Sequence, residues 1–228
     1  MKLGNNYKSM PLIGLFGGAF NPIHNGHLLI AHALINKLNL DELFFIPTGI
    51  SATNKSLAPA DHRLNMIKLA LENKKMNACS YELDRSLIKK KSYTFNTLKH
   101  IFKKNNAINF FIIGSNNFLQ INTWKNWRKL LDYSHIIIVD REISSLSTIE
   151  DNEIKEFYEQ HSVENINKMK LKRNGYIYIH HMDYINIASS EIRKKLQSKK
   201  GVGDDAIPEK IRDYIAANNL YKSIGQVI

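Results

Sequence analysis

Residues 12–27 read LIGLFGGAFNPIHNGH, and this stretch decides the fold. Leu12 to Phe16 is a short apolar run with the character of a buried strand. Gly17 and Gly18 follow at once and predict a sharp turn where a ligand can approach the backbone. Pro22 fixes its own φ and biases Asn21 away from the helical region. His24 and His27 stand three apart, and the apolar segment after them predicts a helix over 26–38. Strand, glycine turn and helix N-terminus in that order make an anion site, because amide N–H groups and the positive end of the helix dipole converge there. Two imidazoles at that point add donors that can follow charge onto a phosphate. Without the turn, the same pair would read as ordinary polar residues of a helix start, or as a partial zinc site lacking a nearby third ligand.

Working outward, Leu43–Ile46 predicts a second strand closed by Pro47, followed by a polar loop, Thr48 to Ala60, long enough to bind a ligand. Asp61 is placed to N-cap a helix reaching about Glu72. Ala78–Leu83 reads as a third strand, and Ser92 or Thr94 opens a helix over 95–103. Phe110–Ile113 is a buried strand ending at Gly114. Trp124–Leu131 reads as a short helix, His135–Val139 and Tyr176–His180 as strands, and 150–172 as a charged, partly helical segment. Ser189–Gln197 and Pro208–Asn218 read as the last helices, with Pro208 at a first helical position. This alternation predicts an α/β fold: a Rossmann-like, doubly wound parallel sheet with helices on both faces and a small C-terminal helical part. In such sheets ligands bind beyond the carboxyl ends of the strands, where the strand order reverses. The ends of the first strand and of the FFII strand are therefore expected to be neighbours. The reading is one domain over 1–228, with 1–10 a loose N-terminal extension.

The composition sets bounds on the partners. The 228 residues carry 32 Lys and Arg against 21 Asp and Glu, a net charge of +11, which suits anionic ligands. The basic residues are scattered along the chain rather than gathered with aromatics, which argues against nucleic acid as the partner. Cys79 is the sole cysteine, so there is neither an internal disulfide nor a cysteine metal site. The first ten residues hold no apolar signal core, and the apolar runs are too short to span a bilayer. A cytoplasmic protein without membrane association is expected, and a homo-oligomer is left open.

The run GGAFNPIHNGH resembles the nucleotidylyltransferase superfamily, marked by a Gly-rich turn followed by His/Thr-x-Gly-His, here His24-Asn25-Gly26-His27. Ile187 to Arg193, IASSEIR, is similar to its C-terminal Ile-Ser-x-Ser/Thr-x-x-Arg element. Ser92-Tyr93-Thr94, FFIIG at 110–114, Thr123-Trp124 and Ile207-Pro208-Glu209 narrow the likeness to nicotinate-nucleotide adenylyltransferases, from about Leu12 to Tyr221. The resemblance implies adenylyl transfer from ATP to nicotinate mononucleotide, releasing pyrophosphate, a step of NAD biosynthesis. It implies that His24, His27 and Arg193 are catalytic. It places ATP against Gly17, Gly18, Ala19, Phe20, Gly26, Gly114, Ile187, Ser189 and Ser190. It places nicotinate mononucleotide against Thr94, Asn116, Trp124 and Lys55, with the pyridine ring on Trp124. Mg²⁺ would bind mainly through ATP phosphates, with no protein metal site. The same superfamily leaves open another acceptor, phosphopantetheine or nicotinamide mononucleotide, or a cytidylyl transfer; a basic RNA-binding protein on this fold is a third reading. Trp127, three residues after Trp124, reads as core; Trp124 suits core or ligand equally.

The sequence also departs from the family pattern. Asn21 and Asn116 stand where the family commonly has Asp, and Ala188 replaces the first Ser of the C-terminal motif. Lys55 lies one place out of step with the family's lysine, and Lys89–Lys91 replace a Gly-Pro before Ser92.

Overall fold

The computed structural model describes residues 7, 9–50, 57–140, 149–182, 187–198, 202–203 and 205–222. In chain order the elements are β1 (Leu12–Gly18), α1 (Asn25–Leu38), β2 (Glu42–Pro47), α2 (Ala60–Ala70), β3 (Met76–Ala78), α3 (Tyr81–Leu87), α4 (Thr94–Lys104) and β4 (Ile108–Gly114). There follow α5 (Ser115–Phe118), β5 (His135–Asp140), α6 (Asn152–His161), β6 (Ile177–His181), α7 (Ser189–Gln197) and α8 (Glu209–Ala217). The six strands form one sheet in the order β3-β2-β1-β4-β5-β6, and every neighbouring pair is parallel. The order reverses between β1 and β4, whose registers pair Leu12 with Ile108 and Phe16 with Ile112. The carboxyl ends of these strands therefore lie side by side, as the sequence predicts.

Side chains alternate across each strand, so a continuous apolar run feeds both faces of the sheet. Phe110 and Ile112 join a core with Phe16, Phe45, Leu34 of α1 and Met66 of α2. Phe111 and Ile113 point the other way, into a core with Leu15, Leu98 of α4 and Trp127. Helix α1 ends where Asn39 takes a left-handed conformation (φ 54°), which asparagine tolerates. Trp127 is buried core, as its spacing from Trp124 predicts.

Four local expectations are corrected. The segment 78–83 is not a strand: β3 stops at Ala78, and Tyr81–Leu87 is helical. Alternation at 79, 81 and 83 imitates a strand, but the helix carries Glu82 and Leu83 inward together. Helix α2 is preceded by Pro59, so Asp61 lies in its first turn rather than at its cap, a favourable place for a carboxylate beside the helix dipole. The single helix expected over 124–131 is only a 3₁₀ segment, Trp127–Asp132, which starts after a left-handed Asn126 (φ 53°); a separate 3₁₀ turn, Ile121–Thr123, precedes Trp124. Pro208 precedes α8 instead of opening it.

Candidate active site

The glycine turn is built differently from its sequence reading. β1 continues through Gly17 and Gly18, and the left-handed residue is Phe20, at φ 45° and 1% exposed. A bulky side chain there costs roughly 1–3 kcal/mol of backbone strain, held by surrounding packing and characteristic of functional turns. Gly18 serves another purpose: an added Cβ would stand 3.0 Å from the Phe20 ring, a tight contact that the ring would have to yield to. The ring of Phe20 also packs edge-on to Phe16 and to His27.

His24 is the N-cap of α1, extended at φ −148° and 4% exposed. Its carbonyl accepts from the His27 amide at 2.9 Å, and its own amide donates to His27 Nδ1 at 3.3 Å. The two rings stack with centroids 3.7 Å apart. In neutral His27 an accepting Nδ1 leaves the proton on Nε2, where it can be donated to a ligand. The anion site of the helix end is narrower than expected, because the Asn25 amide already donates to Ala206 O at 3.0 Å.

Helix α7 is brought against this turn. Ser189 Oγ donates to Pro22 O at 3.0 Å and Arg193 Nη1 to Asn21 O at 2.8 Å. Ser189 and Arg193, four apart, lie on one helix face, so a single face of α7 grips consecutive carbonyls of the turn. Ser190 is exposed at the start of the same helix, and Ile187 is half-buried before it. Gly114 closes β4 beside β1, and a Cβ added there would meet nothing within 4 Å.

On the other flank, Thr94 opens α4 and is half-buried. The half-buried Trp124 packs edge-on to Phe111, whose ring reaches within 3.1 Å of where a Gly17 Cβ would be. The Lys125 ammonium sits 4.9 Å from the centroid of the Tyr93 ring, which sets the segments of Thr94 and Trp124 side by side. Asn116 is exposed in α5. Lys55 lies outside the described residues.

Two residues that sequence reasoning passed over hold the turn in shape. Arg63 is 1% exposed and donates to Ala58 O (2.9 Å), Ala19 O (2.9 Å) and Thr48 O (2.7 Å). Burial lowers its pKa, opposed by the nearby Tyr221 and Glu82. The signal was present: Arg63 shares a stripe with Met66, Ile67 and Ala70 on α2, a place for apolar side chains. Tyr221, near the chain end, donates from its hydroxyl to Asn21 Oδ1 at 2.9 Å, and burial raises its pKa. Asn21 Oδ1 also accepts from the Ala58 amide at 3.0 Å. Asparagine thus supplies the two acceptor contacts made here without the charge an aspartate would bring.

A groove of about 930 Å³ opens at the amino ends of β1 and β2, lined in part by Met10, Leu12, Asn39, Asp41 and Lys170. None of the predicted site residues borders it. The chemistry-bearing residues lie at the opposite edge of the sheet, where open α/β sheets bind ligands.

The cytidylyltransferase-like family model matches residues 15–195. A protein of Clostridium acetobutylicum named "Probable nicotinate-nucleotide adenylyltransferase" is 36% identical over 212 residues, covering 91% of this chain and 97% of its own. A protein of the same name from Buchnera aphidicola subsp. Schizaphis graminum is 33% identical over 222 residues, covering 94% and 98%. Among solved structures, the Plasmodium falciparum nicotinic acid mononucleotide adenylyltransferase complexed with APC superposes with a TM-score of 0.66 at 22% identity, covering 92% of this chain and 97% of that one. The motifs, the sheet order and these relatives agree: the chain belongs to the nicotinate-nucleotide adenylyltransferases, within the cytidylyltransferase-like family.

Proposed function

We propose that the cleft between the Ala19–His27 turn and α7 binds ATP, and that His24, His27 and Arg193 carry the adenylyl transfer to nicotinate mononucleotide. The observation that supports this most is the convergence of His24 and His27 with Ser189 and Arg193 through the adjacent carbonyls of Asn21 and Pro22. A phosphate oxygen of the mononucleotide attacks the α-phosphorus of ATP. A new P–O–P link forms, the bond to the β-phosphate oxygen breaks, and pyrophosphate leaves with the electron pair. The nucleophile is already an anion, so no enzyme base is required. What the chain supplies is position and preorganised donors where negative charge grows.

His27 Nε2 donates toward the reacting phosphates, and the stacked His24 ring fixes its plane. Arg193 spends one N–H on Asn21 and keeps the rest of its planar fork for phosphate oxygens. The donor set of the turn, imidazole and amide N–H, suits phosphate oxygens better than a hard cation. Among the described residues no three His, Cys, Asp or Glu side chains gather as a metal cage. Mg²⁺ would arrive with ATP, held by phosphate oxygens and water, and would offset charge on the departing pyrophosphate.

Thr94 and Trp124 form the acceptor side, with the ring on Trp124 and backbone N–H groups toward the carboxylate. A carboxylate accepts from every direction, whereas an amide brings two donors of its own and leaves one mispaired, at roughly 1–3 kcal/mol. Pyrophosphate release with ATP and either mononucleotide tests the reading. The acid form should be preferred by about tenfold or more in kcat/KM. Trp124→Ala should lower both constants by similar factors, keeping that ratio. An enzyme that prefers the amide overturns the acceptor assignment, and a ratio that collapses in the variant makes Trp124 part of the discrimination.

A further inference from the structure

Glu82 lies in α3, outside the residues assigned above, and is 7% exposed. Thr97 Oγ1 donates to its Oε1 at 2.7 Å. The Ser92 hydroxyl and the Gly49 amide lie beside the carboxyl and favour its charged form. Burial pushes the Glu82 carboxyl above the ordinary carboxylate range, and these contacts, with Arg85 nearby, offset only part of that rise. The donors come from two segments. Ser92 and Thr97 bracket Thr94 at the start of α4, and Gly49 follows the end of β2.

The same two segments are joined again around the carboxylate. Gly49 N donates to Ser92 Oγ at 3.1 Å, and Ser92 N donates to Ile50 O at 2.9 Å. The fit at Gly49 is close: an added Cβ would fall 2.2 Å from the Glu82 carbonyl oxygen. One residue back, Thr48 donates to Gly18 O through its amide (2.9 Å) and its hydroxyl (3.2 Å). Hydrogen bonds therefore link the end of β1, at the phosphate turn, through Thr48–Ile50 to Ser92 on one side of Thr94, while Thr97 on the other side is tied to Glu82.

We propose that Glu82 is a positioning residue for the acceptor: its buried carboxylate fixes the first turn of α4 against the end of β2, and so holds Thr94 where the mononucleotide meets it. The proposal rests on the assignment of Thr94 to the acceptor pocket. The Thr97 hydroxyl bond and the neighbouring Ser92 and Gly49 groups favour a carboxylate, which offers acceptor oxygens on both sides. Glu82→Gln keeps the volume but replaces one acceptor oxygen by an NH₂, so the hydrogen bonds around the start of α4 must rearrange. The ATP side has further ties of its own, from Arg63, Ser189 and Arg193 to carbonyls of the turn.

The test varies each substrate in steady-state kinetics of the full chain, for Glu82→Gln and for Thr97→Val, which removes one donor while leaving the carboxylate. Both variants should raise KM for nicotinate mononucleotide about tenfold, with KM for ATP within about twofold. Glu82→Asp, which restores an all-acceptor group, should recover part of the loss. Equal rises in both KM values, or a fall in kcat alone, would overturn the role. Amide hydrogen exchange supplies a readout independent of the acceptor's identity: in Glu82→Gln the amides of residues 92–98 should exchange at least tenfold faster, with those of β1 and β4 unchanged. Unchanged protection at 92–98 also overturns the proposal. Failure of the unsubstituted enzyme to use nicotinate mononucleotide, with the exchange result as expected, would overturn the acceptor reading and leave Glu82 as the brace of this segment.

Discussion

At the scale of single residues, the contacts of His27 and Arg193 determine what their substitution does. His27 presents one donor whose value rises as charge develops on the phosphates. His27→Ala should therefore lower kcat by a factor on the order of 10² or more, with a smaller change in the affinity for ATP. A kcat near the unsubstituted value with collapsed ATP affinity would refute that role. Arg193 is already engaged with Asn21 O, so its use depends on having several N–H groups in one plane. Arg193→Lys keeps the charge but can serve the carbonyl or the phosphates well, not both. It should cost at least about tenfold in kcat/KM, and equal activity would reduce Arg193 to a diffuse positive field. The sequence identified both residues by motif. It could not show that the main-chain oxygens of Asn21 and Pro22 are what α7 holds, because a carbonyl has no residue identity.

At the scale of an element, the start of β5 carries a histidine locked in one protonation state. His135 is buried between the rings of Phe110 and Tyr176. Its Nδ1 accepts from the Tyr176 amide at 3.1 Å, and its Nε2 meets Lys172 O at 2.9 Å. Burial depresses its pKa from 6.5 to about 4. A proton added at Nδ1 would face an N–H, so acid favours the unfolded chain. The contribution is whole above pH 6.5 and is lost as the pH falls through about 4. Urea unfolding should find the fold weaker by roughly 2 kcal/mol at pH 5 than at pH 7.5 from this group alone. In His135→Gln, which keeps a donor and an acceptor but does not titrate, that part of the acid sensitivity should vanish. An identical acid slope in the variant would show that other groups set it. The strand itself was legible as an apolar run; that its first residue is a buried, neutral imidazole was not, because the ring's partners are 37 and 41 positions away.

At the scale of the whole molecule, the C-terminal part completes both the core and the site. Ile207, Ile211 and Ile215 are buried against the face of the sheet that holds α1 and α2. Tyr214 OH meets His62 Nδ1 at 2.9 Å on α2, Ala206 O takes the Asn25 amide, and Tyr221 reaches Asn21. Burying three isoleucines is worth roughly 5–9 kcal/mol in all, against a total stability of about 5–15 kcal/mol for a folded domain. A chain ended after Ala206 should therefore unfold at a far lower urea concentration or show no cooperative transition. An unchanged midpoint, followed by far-ultraviolet circular dichroism, would mean that α8 is an appendage.

Short apolar strands alternating with helical segments were enough to determine the parallel sheet, since hydrophobic period and short connections leave few other ways to bury both faces. The two motifs were enough to name the residues proposed to meet the phosphates. Tertiary structure alone decided the rest. It replaced the glycine turn by a strained Phe20, because a ring packed on Gly18 fixes the backbone beyond it. It made a helix of residues 81–87, which turns Glu82 and Leu83 inward together and sets the Glu82 carboxylate against Thr97 of α4. It set Arg63 under the turn, because three carbonyls from separate segments converge there and the fork of one guanidinium serves all three. Periodicity reports which side of an element is apolar; where polar groups find partners depends on contacts between residues far apart in the chain, and those exist only once the chain has folded.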